Sequence, residues 1–267
     1  IRSARTTILN SRKRTISTSG NNSFLTCLDY VQGQNQQDSN GNPITTDPYD
    51  GNLTYIQQGG ATTVIPNPVG AYNLTALMPK VTEIHCHNCP LITAITCTSD
   101  TLLTDLDLEN CATLVNLSFS GCSNLPSVDL DTFTSFTNLS FHNCPGITSF
   151  TAASLVSVNS IDLANTGAGG PSNIAGVFSL PSLITLTGSL EIYGFGFGTA
   201  MTGFSLPLLV NCDGSIFVAT HNNLTSISLP LLETVTGSLN LGQNNGILSI
   251  SLPSFVSCDH LIIDSCS

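Results

Sequence analysis

Apolar and polar residues alternate in short triplets that return every 11 residues from Ile84 to Ile161. Ile84-His85-Cys86, Ile95-Thr96-Cys97, Leu106-Asp107-Leu108 and Leu117-Ser118-Phe119 open the series, and Val128, Leu139, Phe150 and Ile161 begin the next four triplets. A period of two belongs to a strand with one buried face, and strands recurring at a fixed interval can cover that face only by stacking on copies of themselves. Looser spacing carries the triplets onward from Phe178, Leu190, Phe204, Ile216, Ile227, Leu239, Ile250 and Leu261. Alternate triplets are about 22 residues apart at first and about 22 to 29 later, the length of one solenoid coil. The pattern predicts an all-β, right-handed β-solenoid of about eight two-strand coils, stacked to roughly 35–40 Å at about 4.8 Å per coil.

No such beat runs through residues 16–73. Asn35 to Pro43, Asp47 to Gly51 and Pro66 to Pro68 read as loops, with strand-like stretches at Phe24–Val31, Leu53–Gln57 and Ala61–Ile65. Because the first coil of a solenoid exposes its core, this region is the expected N-terminal cap, and the solenoid is expected over 74–267.

Composition narrows the partners. Only 9% of residues are charged, 41% are apolar, and there is no Trp. No apolar run reaches the 18 or so residues of a membrane-spanning helix. The net charge is −11, yet Arg2, Arg5, Arg12, Lys13 and Arg14 supply five of the six basic residues within an arm of residues 1–15. The acidic body that remains would repel nucleic acid and anionic membranes. The arm reads either as a flexible segment or cleavage remnant or as an anchoring strand that pairs with the exposed edge of an acidic neighbour.

Two stretches resemble a known family. Leu180-Pro181-Ser182-Leu183 running to Ile192, and Leu224 running through Leu229-Pro230-Leu231-Leu232 to Asn245, look like the leucine-rich repeats of receptor L-domains. Asn88-Cys89, Asn110-Cys111, Gly121-Cys122 and Asn143-Cys144 are similar to bacterial leucine-rich repeats in which Cys replaces the ladder Asn. The resemblance spans about residues 74–266. It implies a recognition or structural module, extracellular or on a cell or virion surface, and brings no catalytic residues.

Candidate chemistry is sparse. Cys89, Cys111, Cys122 and Cys144 each follow a triplet start by five residues, which suits inward-turned buried thiols. Cys89–Cys111 and Cys122–Cys144 lie one coil apart and could alternatively form disulfides. Alternation separates His85 and His87, facing out, from Cys86, facing in, so a closed zinc site mixing them is not expected. The outward columns of later coils hold Asp107, Glu109, Asp129 and Asp131, which read either as a Ca²⁺ site or as a solvated acidic face. Apart from that cation, no cofactor is expected. The chain has no Arg or Lys after Lys80 and no nucleophile elbow or phosphate loop, so no enzymatic activity is expected.

Tyr193, Phe195 and Phe197 sit on a Gly-rich path, and such aromatics either anchor a partner or fold back as a plug; Phe217 stands in the outward column of triplet centres and is a further candidate contact. The expected function is non-enzymatic recognition or adhesion toward a protein or glycan. The alternative is a self-assembling subunit of an extracellular filament or virion appendage, docking through its basic arm.

Overall fold

The computed structural model describes residues 49–75, 80–165, 173–194 and 200–264. The chain divides into Ile1–Asp50 and Gly51–Ser267, and every described strand lies in the second unit. That unit is an all-β solenoid of about eight turns, and no described helix is long and apolar enough to cross a membrane.

One face is built from β4 (Val81–His87), β6 (Asp105–Glu109), β8 (Ser127–Asp129), β10 (Ser149–Thr151), β12 (Gly176–Ser179), β15 (Met201–Ser205), β18 (Ser226–Ser228) and β20 (Ser249–Ser251). The other holds β3 (Gly70–Asn73), β5 (Ile92–Thr98), β7 (Asn116–Ser120), β9 (Ser135–His142), β11 (Ser157–Asp162), β14 (Leu190–Ile192), β17 (Ile216–Val218), β19 (Thr234–Asn240) and β21 (Ser257–Ile262). Within each face the pairs are parallel, and the triplet starts are register partners. Tyr72, Ile95, Leu117, Leu139, Ile161, Leu190, Ile216, Leu239 and Leu261 form one unbroken ladder. The ladder thus takes in Tyr72, just ahead of the expected solenoid start.

Coils are not uniformly two-stranded. Where Gly188 and Gly214 bend the second face, short strands β13 (Thr185–Leu186) and β16 (Asn211–Cys212) separate from β14 and β17. In β9, β11, β19 and β21 the same two segments run on as one strand. Two strands foreseen in the cap are present: β1 (Asn52–Gln57) pairs antiparallel with both β2 (Thr62–Pro66) and β4. The stretch Phe24–Val31 lies outside the described residues.

Two kinds of corner close each coil. In one, Leu-Pro starts a turn whose fourth residue donates its N–H back to the first, as Leu183 does to Leu180 and Leu232 to Leu229. Proline at the second position pre-sets the required φ. In the other kind the chain enters the left-handed region one residue before an inward side chain: Asn88, Ser99, Asn110, Gly121 and Asn143 have φ between 51° and 70°. Asn and Gly tolerate that conformation best, which is the physical content of the Asn-Cys and Gly-Cys dipeptides.

The core fills with stacked side chains. Phe119 and Phe141 stack at 5.2 Å, and Phe150, Phe178 and Phe204 continue the row at 5.9 and 5.8 Å. In the last described coil the pattern opens: Leu248, Val256 and Leu261 are 85%, 74% and 50% exposed.

Candidate functional site

Two polar groupings on the outer faces and one set of thiols inside are the chemistry the coils bring together. The first lies on β4 and β6, where the parallel register sets Glu83 opposite Asp105, His85 opposite Asp107 and His87 opposite Glu109. On the far side of β4, the antiparallel β1 places Thr54 opposite His85. His87 Nε2 stands 3.2 Å and His85 Nδ1 3.8 Å from Asp107 Oδ2, while His85 Nε2 meets Glu83 Oε2 at 3.2 Å. Both imidazoles are buried, whereas Glu83 and Asp107 keep 37% and 22% of their side chains exposed. Burial raises the Asp105 carboxyl above its usual range, and nearby His85 acts against that rise.

This arrangement divides the four carboxylates that read either as a Ca²⁺ site or as a solvated acidic face. Asp107 and Glu109 face the histidines. Asp129 accepts the Asp131 N–H at 3.1 Å and the Thr151 hydroxyl at 3.4 Å, and Asp131 accepts the Ala153 N–H at 2.6 Å. The latter two therefore serve turns between coils. Among the described residues, no cluster of close metal-ligand atoms unites these four.

The thiols occupy the interior. All eight described cysteines are free, so neither Cys89–Cys111 nor Cys122–Cys144 is bridged. Cys111 Sγ lies 3.6 Å from Cys86 Sγ of the preceding coil and accepts the Cys89 N–H at 3.4 Å. The four thiols at the Asn-Cys and Gly-Cys corners each donate to the carbonyl two residues back: Cys89 to His87, Cys111 to Glu109, Cys122 to Ser120 and Cys144 to His142. Cys111, Cys122 and Cys144 also reach carbonyls of the preceding coil, so the thiols act as a ladder that satisfies bend backbone. Hydrogen bonding to Cys111, then burial, raises Cys86; hydrogen bonding from Cys86 lowers Cys111 to about 7. Further along, Asn244 donates to the Val218 and Leu241 carbonyls and His221 contacts the Ile192 carbonyl, taking over the same duty. Asp100 does so at the other end, accepting the Val81 and Leu102 N–H groups at 3.0 Å each.

The second outer grouping sits on the long face. Register aligns Ser140, Asp162, Glu191, Phe217 and Asn240 in one column. His142 Nδ1 contacts Asp162 Oδ2 at 3.0 Å, and the Tyr193 and Phe217 rings meet edge-on at 6.4 Å. Burial, and next the Asp162 charge, raise the Glu191 carboxyl, which a hydrogen bond from Tyr193 partly offsets. Tyr193 itself is raised by burial and by Glu191. The column was legible as alternation, but His142 was not singled out. Its only trace is that it lies two residues beyond the outward Ser140, on the same face.

Several expected sites fall outside the described residues: Phe195, Phe197 and the arm residues Arg2, Arg5, Arg12, Lys13 and Arg14. What the fold and its surfaces define is a class, an all-β solenoid of stacked parallel coils with polar groups gathered on its outer faces. No protein-family model, no curated protein and no solved structure matches the chain.

Proposed function

We propose that this is a non-enzymatic recognition or adhesion module of leucine-rich-repeat type, acting extracellularly or on a cell or virion surface. The observation that carries the reading is the half-exposed patch of Tyr193 and Phe217 beside Glu191 and Asp162 on the outer face of the long parallel sheet. Aromatic edges with flanking hydrogen-bonding groups on a rigid support suit the apolar faces and hydroxyls of a glycan, or a basic protein segment. A net charge of −11 disfavours anionic glycans and nucleic acid. The leucine-rich-repeat type is supported by the Leu-Pro turns and by the inward Cys, Asn and His ladder at the other corner.

The test is an array carrying neutral glycans and basic peptides, probed with wild type and with Tyr193→Ala and Phe217→Ala. A saturable ligand that either substitution weakens at least about tenfold is the expected result, as for a central aromatic anchor. Binding untouched by both changes, or glycan cleavage on the array, overturns the reading. A second reading, self-assembly through the basic arm, is favoured by the charge asymmetry between residues 1–15, which hold five of the six Lys and Arg, and the acidic remainder of the chain. It predicts that removing residues 1–15 lowers the mass seen by light scattering.

A further inference from the structure

The geometry points to a transition-metal site of the zinc class on the outer face of β4 and β6, with His85 Nδ1, His87 Nε2 and Asp107 Oδ2 as protein ligands. The three donor atoms already lie within 4.8 Å of one another. Tetrahedral zinc with bonds of about 2.0–2.1 Å needs neighbouring donors roughly 3.3 Å apart. The two nitrogen-to-oxygen distances of 3.2 and 3.8 Å bracket that requirement, and the histidine nitrogens lie within 4.8 Å of each other, close enough for side-chain rotation to draw the three together. Strand geometry explains the convergence. Residues 85 and 87 share a face because side chains alternate, and the parallel register brings Asp107 alongside from the next coil.

The surroundings fit a cation. Glu83 Oε2 holds His85 Nε2 at 3.2 Å, which places the ring proton there and turns the Nδ1 lone pair toward the site. A carboxylate behind a ligating histidine is the usual way in which such a ring is oriented. Asp105 and Glu109 add negative charge on the same strand face, which a dication offsets. Thr54, the register neighbour of His85, is 2% exposed, and its Oγ1 is buried without a hydrogen-bond partner. As the cross-strand neighbour of His85 on the same face, that hydroxyl would be free to bond a water completing the site. Two imidazoles with one carboxylate select zinc-like ions over Ca²⁺, which takes six or more oxygens. The exposed side of Asp107 leaves a route for the ion.

One rival shares the strand. Cys86, Cys89 and Cys111 gather on the inner face with their sulfurs also within 4.8 Å, and thiolates bind zinc as well. The test therefore reads which atoms bind. The full chain is titrated with Zn²⁺ and with Co²⁺ by calorimetry, and the zinc-loaded protein is measured by zinc K-edge X-ray absorption. The expected result is saturable binding with only nitrogen and oxygen neighbours at about 2.0–2.1 Å and no sulfur at about 2.3 Å. Asp107→Asn and His87→Gln should abolish saturable binding while far-ultraviolet circular dichroism stays native. Glu83→Gln should weaken it about 10- to 100-fold, and the double change Cys86→Ser with Cys111→Ser should leave it intact. A sulfur shell, binding that survives Asp107→Asn, or no saturable binding by natively folded wild type overturns the site.

Discussion

At the scale of single residues, the inward ladder is where polar chemistry and stability meet. His221 is 1% exposed and bonded to the Ile192 carbonyl, and burial holds its imidazole down at about 4 against the ordinary 6.5. The unfolded chain takes up a proton there below about pH 6.5, whereas the folded chain resists until about pH 4. The stabilising preference is therefore complete above about pH 6.5 and is lost as pH falls toward 4, by at most about 3 kcal/mol. Melting temperatures followed by circular dichroism at about pH 7.5 and about pH 5 should separate more for wild type than for His221→Asn. Asparagine is the residue that fills the corresponding place at Asn244, so the variant keeps a ladder group. An equal pH dependence in both proteins would show that His221 does not titrate this way.

At the scale of elements, the sequence carried the strands well and their partners less well. Register along both faces follows from the triplets because slipping by one residue would turn Ile161 or Leu190 out to water. The third strand of some coils was hidden, since Thr185–Leu186 is too short to show a period and separates only where Gly188 bends the chain. The histidine-carboxylate cluster was half legible: alternation put His85, His87 and Asp107 on one face, but their burial and mutual distances depend on β1 packing alongside β4. Glycine pairs show the same dependence on the neighbouring coil. A Cβ on Gly214 would collide with the Gly188 backbone carbonyl, whereas one on Gly203 would meet only side-chain atoms, a methyl of the exposed Val177 at 3.1 Å and Ser226 Oγ at 3.2 Å. Gly214→Ala should cost about 1–3 kcal/mol in urea unfolding. Gly203→Ala should lie near neutral, because the entropy gained by removing glycine offsets a small steric shift. Equal losses at the two positions would mean the coils are not stacked this closely.

At the scale of the whole molecule, each coil is stabilised by its neighbours, so the worth of a core residue depends on whether a further coil covers it. Leu239 and Leu261 are consecutive rungs of one ladder, 0% and 50% exposed. Leu239→Ala removes a fully enclosed side chain and should cost about 2–5 kcal/mol. Leu261→Ala removes one that is half in water and should cost about 1 kcal/mol, in proportion to the apolar area still buried. Chemical denaturation of both variants at two protein concentrations tests this directly. If Leu261→Ala is as damaging as Leu239→Ala and the loss grows on dilution, a second copy covers the last coil and the assembly reading gains its interface. Equally large losses without a concentration dependence would place the cover within the same chain. A small, concentration-independent loss would leave the apolar rungs of β20 and β21 open to solvent, with their backbone edge unpaired. The outer-face patch around Tyr193 and Phe217 would then remain the better place to look for a partner.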